Sequence, residues 1–273
     1  MSTGELHAVL DPSVGDWIAP RLRGGFGAVC RTVPSGYATY ARVLHPVDPR
    51  PAAEPTTWAG VCERTGRTAH ALMQWEAITT PAAGAELPTS REGRWGEVRV
   101  ERGSLHPRVL EALLDVLAPF TGDRTGQQEC YQALWEGWGW LTGASALVLA
   151  FSEGPGPHAP EPVPATPPDV LEEALNAPRL PLPGRDHVLL TGPLHAALAT
   201  GHQVTDDWFS PQSPNLLWPA DRSWCLASEI DFDSTLIGGP AQLIDAILAA
   251  PAVEAWAVGE DDDLSSFGDH LNT

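Results

Sequence analysis

Hydrophobic and polar positions follow one another most regularly in residues 214–258. In residues 224–232 the alternate positions are Trp224, Leu226, Ile230 and Phe232, with Ser228 as the polar exception, which is the period of a half-buried β-strand. Gly238-Gly239-Pro240 then ends the strand, and proline is tolerated in the first turn of a helix. The next apolar positions recur at helical spacing and predict a buried stripe: Leu243, Ile244, Ile247 and Leu248. With a further strand over residues 253–258, the pattern predicts a β-turn-β-α-β unit.

Earlier segments mix the two periodicities without a steady alternation of strands and helices. Residues 105–117 predict a helix, because leucines recur at helical spacing after Ser104, a favourable N-cap. Shorter helices are predicted over residues 12–23, 57–64, 170–176 and 194–199. Strands are predicted over residues 28–33, 37–47, 144–151 and 187–191, and a strand followed by a turn over residues 129–141. The predicted fold class is α+β, with a mixed or antiparallel sheet and helices packed on it.

A proline-rich stretch interrupts the chain at residues 152–168, where seven of seventeen positions are proline. Such a segment favours extended coil over helix or sheet. We therefore divide the chain into an N-terminal α+β part (1–151), a linker or excursion (152–168), a C-terminal α+β part (169–258) and an acidic tail (259–273). The alternative, which we favour because the flanking segments are irregular, is that residues 152–168 form an excursion within one continuous domain. The composition of the tail is typical of disordered segments.

The net charge of the chain indicates which kinds of molecule it can bind. The chain has 35 acidic and 16 basic residues, a formal net charge of −19, and every basic residue is arginine. Phosphate-rich partners require clustered basic side chains, so nucleic acids and anionic membranes are disfavoured and a basic protein partner is favoured. The lack of lysine excludes a Schiff-base lysine, a pyridoxal phosphate anchor and a Walker A lysine.

Cysteine usage and the N-terminal residues indicate the compartment. The four cysteines, Cys30, Cys62, Cys130 and Cys225, are far apart and include no C-x-x-C pair, which is typical of buried reduced thiols. The first residues contain no apolar core of a signal peptide, and no apolar run reaches the length of a membrane span. We expect a cytoplasmic protein that does not enter a membrane.

Three carboxylates are candidates for a metal site. Glu229, Asp231 and Asp233 occupy alternate positions of the predicted strand and would project from one face. Oxygen ligands of this kind suit Mg²⁺ or Ca²⁺. The alternative is a solvated polar face on an edge strand.

The same carboxylates lie in a known type of motif. Residues 231–235, DFDST, resemble the D-x-D-x-T motif of haloacid-dehalogenase-like phosphatases, which implies Asp231 as nucleophile and Asp233 as acid and base. The chain departs from that family: no Lys or Arg follows Arg222, Glu229 interrupts the apolar strand before the motif, and the segment after the motif is short for the domain required. We therefore do not assign the chain to this family. A metal-dependent hydrolase using the three carboxylates stays the alternative function.

Tryptophan is the second source of candidate binding residues, with eleven in the chain. Tryptophan anchors cores, but it is also enriched at interface hot spots, and beside carboxylates it suits sugars or cations. Gly137 and Gly139 flank tryptophans and favour exposure of that segment. The predicted binding residues are Trp135, Glu136, Trp138, Trp140, Trp218 and Trp224. A core role is the alternative for each tryptophan.

No catalytic set is recognisable. The nine histidines show no H-x-x-x-H or H-E-x-x-H spacing, and no G-x-S-x-G motif positions a nucleophile. We therefore predict no catalytic residue and no required cofactor, and expect binding rather than catalysis.

Two resemblances bear on function. Residues 214–231, PNLLWPADRSWCLASEID, followed by Gly238-Gly239, are similar to a pattern in uncharacterised acidic, Trp-rich bacterial proteins. The order of elements and the acidity resemble SMI1/KNR4-like immunity proteins, which implies binding to a toxin without catalysis. The resulting hypothesis is a non-catalytic acidic interaction protein, an immunity-type partner of a basic protein.

Overall fold

The computed structural model describes residues 5–47, 56–80, 82, 100–122, 128–142, 169–205 and 208–272. These residues form an α+β fold, as predicted. The strands are β1 (His7–Ala8), β2 (Thr39–Leu44), β3 (Glu129–Trp135), β4 (Leu180–Leu182), β5 (Arg185–Pro193), β6 (Gly201–Thr205), β7 (Trp208–Pro211), β8 (Leu216–Pro219), β9 (Cys225–Ser228), β10 (Ser234–Gly239) and β11 (Ala255–Val258). The α-helices are α1 (Val29–Thr32), α2 (Trp58–Thr65), α3 (Trp75–Thr79), α4 (Pro107–Leu117), α5 (Asp169–Asn176) and α6 (Ala241–Leu248). Short 3₁₀ turns occur at Pro12–Gly15, Ala19–Arg21, Ala118–Phe120 and Leu194–Ala199.

One antiparallel sheet organises the described residues. Its strand order is β1-β5-β3-β8-β9-β10-β2-β11, with β4 paired to β5, while β6 and β7 form a separate hairpin. β2 lies between β10 and β11, so strands from both sides of residues 152–168 pair with one another. Those residues, and the strand predicted at 144–151, lie outside the described ranges.

The sheet is covered on both faces. Along β10, Ile237 belongs to a buried cluster with α4 and α6, whereas Leu236 packs on the opposite face with residues of the 9–33 segment. All six residues of β10 are buried. A strand that is buried on both faces consists of apolar or small residues, and the Leu-Ile-Gly-Gly sequence at the end of β10 fits this rule.

The two strongest helix predictions are confirmed. In α4 the leucine stripe faces the core, although His106 rather than Ser104 is the N-cap, because the Ser104 hydroxyl accepts a hydrogen bond from Ser213 N at 3.2 Å. α6 begins directly after Pro240. Its predicted stripe is buried except for Leu248, which is 38% exposed.

The helix predicted over residues 12–23 is replaced by two short 3₁₀ turns, Pro12–Gly15 and Ala19–Arg21. Two further local predictions are wrong. Residues 29–32 form helix α1 instead of a strand. The strand predicted over residues 224–232 ends at Ser228, and residues 229–233 form a turn into β10. In both places the tertiary partners outweigh the alternation of the sequence.

The acidic tail packs on the rest of the protein, so the expectation of a disordered tail is wrong. Asp269 is 5% exposed and accepts hydrogen bonds from Gln74 N at 3.1 Å and Asn272 N at 2.9 Å, with His70 Nε2 at 2.9 Å. Burial opposes ionisation of Asp269, but these bonds outweigh it and lower its pKa.

None of the described helices is long and apolar enough to cross a bilayer.

Candidate functional site

A cleft of about 340 Å³ opens on the sheet face opposite α4 and α6. Its walls are the 22–32 segment, the β4–β5 turn and the turn after β9. The turn between β4 and β5 contains Gly184 at a φ of +88°, a conformation that favours glycine. The principal apolar lining residues are Leu22, Phe26, Leu182, Leu216, Ile230 and Phe232. The polar lining residues are Arg31, Thr32, Arg185, His187, Asn215, Ser228 and Glu229.

Arg185 joins the two groups of residues that the sequence singled out. Its Nη2 donates to Glu229 Oε1 at 2.5 Å and to Asp231 Oδ2 at 3.2 Å. Its guanidinium carbon lies 5.1 Å from the centre of the Trp135 ring, a cation–π contact. Sequence reasoning missed Arg185, because no local pattern shows that β5 passes beside the turn after β9.

The Trp135–Trp138 segment is held at the end of β3. Asn215 Oδ1 accepts hydrogen bonds from Trp135 N and Trp138 Nε1, both at 2.9 Å, and the two rings meet edge to face at 5.8 Å. Glu136 pairs with Arg179 at 3.0 Å. These three predicted binding residues are partly exposed, so they remain accessible beside the cleft.

The other three predicted tryptophans are buried. Trp140 is 8% exposed and stacks on His202 at 5.3 Å. Trp218 and Trp224 are fully buried, and Trp224 Nε1 donates to Thr121 Oγ1 at 3.2 Å. In this structure all three occupy the core, the alternative role that the sequence allowed.

The predicted metal ligands do not share one strand face. Glu229 and Asp231 lie in a turn on Arg185, whereas Asp233 is 8% exposed and its Oδ1 lies 3.4 Å from Arg42 Nη2. Burial raises the pKa of Asp233, and the Arg42 charge partly opposes that rise. Across the residues that the structure describes, no three His, Cys, Asp or Glu side chains come together as a site for a metal ion.

A chain of buried hydrogen bonds connects β9, β10 and the end of β2. The hydroxyls of Ser228 and Thr235 are 2.8 Å apart, and His45 Nε2 lies 2.9 Å from Thr235 Oγ1. His45 Nδ1 donates to the carbonyl of Glu101 at 2.8 Å. Burial lowers the pKa of His45 to about 4, so its ring is neutral at physiological pH. The arrangement satisfies polar groups inside the fold.

The acidic tail adjoins the cleft through its backbone. Residues 260–264 run beside residues 27–30, with Leu264 N donating to Gly27 O at 2.8 Å and a bridge between Ala28 and Asp263. Gly27 has a φ of +99°, and a side chain there would collide with the tail. Glycine at position 27 therefore lets the tail lie against the cleft wall.

This packing presents carboxylates near exposed aromatic rings. Phe26 is 69% exposed and Phe267 is 81% exposed, while Asp261 and Asp263 are exposed in the same stretch of tail. We call these four residues the acidic–aromatic surface. Large apolar side chains this exposed, with charges around them, are typical of interaction surfaces.

Comparisons with protein-family models, with curated proteins and with solved structures found no match.

Proposed function

We propose that this protein is a non-catalytic cytoplasmic interaction protein that binds a basic protein partner, in the manner of an immunity protein. The observation that carries the proposal is the acidic–aromatic surface. It combines apolar rings that gain from burial with carboxylates that select a cationic partner.

The distribution of arginines supports a cationic partner. Arg42 is fully buried, and Arg23, Arg102, Arg179 and Arg185 pair with the protein's own carboxylates. These five of the sixteen arginines are thus engaged by the protein's own groups, and the 35 acidic residues outnumber all the arginines, which gives the net charge of −19. Such a field speeds association with a basic protein and disfavours acidic ones.

The exposed rings give the surface a means of tight contact. Phe26 already meets Phe232 edge to face at 5.5 Å, which limits the conformations it must give up on binding. Phe267 lies in a tail loop held by Asp263, whose Oδ1 accepts from Ser265 N at 2.8 Å. An aromatic side chain that becomes buried against a partner is a common source of binding free energy at interfaces.

Affinity capture from a lysate of the source organism tests the proposal. The bait is compared with Asp261→Asn/Asp263→Asn/Phe267→Ser and with a matched variant, Glu111→Gln/Asp245→Asn, which removes the same charge from α4 and α6. The wild type and the matched variant should retain one basic protein that the tail variant loses. With both proteins purified, calorimetry should show binding that weakens with salt, because exposed charges are screened over about 10 Å at 0.1 M.

Two results contradict the proposal. One is a purified partner that binds the tail variant as tightly as the wild type. The other is repeated capture, at low ionic strength, without any basic protein that separates the tail variant from the matched variant.

A further inference from the structure

The last strand of the sheet has an open edge. β11 pairs with β2 on one side, and no other described strand lies beside it. In an antiparallel ladder, successive residues direct their N–H and C=O groups to opposite sides. Leu44 N donates to the carbonyl of Glu254, so every second residue of β11 after Glu254 faces β2, and Ala255 and Ala257 face outward. No described residue bonds to the outward groups of these two alanines.

This edge carries none of the features that commonly protect the edges of sheets, which are very short strands, prolines and charged side chains. At the opposite end of the sheet, β1 has two residues and Pro181 stands at the centre of β4. β11 has the sequence Ala-Trp-Ala-Val, without charge or proline, and Ala257 is exposed. The outward N–H and C=O groups of β11 are therefore available to another strand.

The residues that follow β11 are acidic. Residues 259–263 have the sequence GEDDD, and no Lys or Arg follows Arg222. Asp262 Oδ2 accepts a hydrogen bond from Gly259 N at 2.8 Å, which ends the open edge at that turn. Asp261 and Asp263 are exposed and belong to the acidic–aromatic surface. A strand added to β11 would run toward these carboxylates, so the edge favours a cationic occupant.

We infer that the basic partner adds an extended segment to β11 as one more strand of the sheet, with cationic side chains beside Asp261 and Asp263. The charge of the occupant rests on the proposed function, whereas the strand pairing rests on the open edge. Backbone hydrogen bonds to Ala255 and Ala257 would hold the segment, and the carboxylates would select it. A second copy of this chain is disfavoured there, because two molecules with a net charge of −19 repel each other.

Amide hydrogen exchange followed by NMR tests the inference on the full chain, with the peptide acetyl-RTVTVRR-amide as the probe. In the free protein the amide of Ala257 should exchange quickly, and those of Trp256 and Val258, which face β2, should exchange slowly. The peptide should slow the exchange of the Ala255 and Ala257 amides at least about tenfold.

Two control peptides separate backbone pairing from charge. The same peptide, N-methylated at two successive central residues, cannot pair along either of its edges and should leave the Ala255 and Ala257 amides unprotected. Replacement of its arginines by glutamine keeps the backbone and should weaken binding at least about tenfold, because the carboxylates no longer select the peptide.

Two variants at position 257 provide the matched pair on the protein. Ala257→Pro removes one outward N–H and keeps the bonds of β11 to β2, since proline is tolerated where the N–H faces away from the sheet. Ala257→Ser keeps that N–H. The proline variant should lose the peptide and, in affinity capture, the basic partner, whereas the serine variant should retain both. A thermal melt checks the fold of the proline variant, and if it is unfolded the N-methylated peptide decides the question on the wild type.

Four results would overturn the inference. These are equal binding of the N-methylated peptide, no protection of the Ala255 and Ala257 amides at about 1 mM peptide, a folded Ala257→Pro variant that retains the partner, and a wild-type dimer that Ala257→Pro makes monomeric in light scattering. The last result would assign the edge to a second copy. The proposed function stands in each case if Asp261→Asn/Asp263→Asn/Phe267→Ser still loses the partner, so the two failures are distinguishable.

Discussion

Replacement of Arg42 by methionine tests whether this buried arginine stabilises the sheet. Arg42 is 1% exposed in the middle of β2, and its guanidinium donates to Ser234 Oγ at 3.0 Å and to the carbonyls of Ala71 and Met73 at 3.0 and 2.9 Å. It also faces the buried Asp233 at 3.4 Å. Methionine keeps the aliphatic stem and removes every donor. The variant therefore measures the cost of leaving Asp233, two carbonyls and the Ser234 hydroxyl without the guanidinium, together with the loss of its cation–π contact with the Trp58 ring at 5.7 Å.

The expected loss is about 3–5 kcal/mol, the range for breaking one side of a buried ion pair. That is a large part of a typical unfolding free energy of about 5–15 kcal/mol. Adding Asp233→Asn to Arg42→Met should recover about 1–2 kcal/mol, because an amide does not need a buried counter-charge. Recovery should be incomplete, since the two carbonyls still lack donors at a cost of about 1–3 kcal/mol each.

Equilibrium urea unfolding, followed by tryptophan fluorescence, measures these differences at several pH values. Burial raises the folded-state pKa of Asp233, and removal of Arg42 takes away the charge that opposes the rise. A carboxyl whose folded pKa is raised destabilises the fold as the pH climbs from the unfolded value to the folded one. The deficit of Arg42→Met should therefore be largest near neutral pH and shrink toward pH 4. A loss below about 1 kcal/mol, or a double variant less stable than Arg42→Met, would refute the reasoning.

Three further outcomes are expected. Asp269→Ala removes the acceptor for the Gln74 amide and should lower the free energy of unfolding by about 2–3 kcal/mol. Backbone amides after residue 259 should then exchange their hydrogens faster. Exchange as slow as in the wild type would contradict this expectation. Because the pKa of Asp269 is lowered, this stabilisation should persist above about pH 4 and disappear as the pH falls through the lowered value. Glu254→Ala removes the side chain that accepts hydrogen bonds from the amides of Trp58 (2.7 Å) and Ala59 (2.9 Å) at the start of α2. Thermal unfolding should show a loss of stability of about 1–2 kcal/mol. An unchanged melting temperature would contradict this expectation. All four cysteines are buried with raised pKa values, so a thiol reagent should label none in the native protein and all in urea.

The elements that could be predicted from the sequence are those decided by neighbours along the chain. α4 and α6 each combine a proline at the start with apolar residues at helical spacing, and both signals are local. Residues 29–32 show where local sequence signals fail to predict the structure. Their sequence predicted a strand, but the amides of Val29 and Cys30 bond to the carbonyls of Asp262 and Glu260, and the Val33 amide bonds to the Val29 carbonyl as in a helical turn.

The candidate site was predictable only in parts. The sequence pointed to Trp135 and to Glu229, yet it carried no sign that Arg185 would lie between them. Arg31 and His187 belong to different elements and meet in one cleft only because residues 9–33 cover the sheet. Which residues from distant parts of the chain become neighbours depends on the order of the strands in the sheet. The local alternation of apolar residues and the helix caps do not determine that order.

The position of β2 has a consequence for the nascent chain. Both neighbours of β2 come from residues 234–258, so during synthesis this strand is made long before anything can pair with either of its edges. An unpaired apolar strand is prone to join another chain. Arg42 places a charge in the middle of that strand, and inward-pointing charges are one of the means by which proteins discourage such association. The residue that stabilises the finished sheet would also protect the chain while its partners are still being translated.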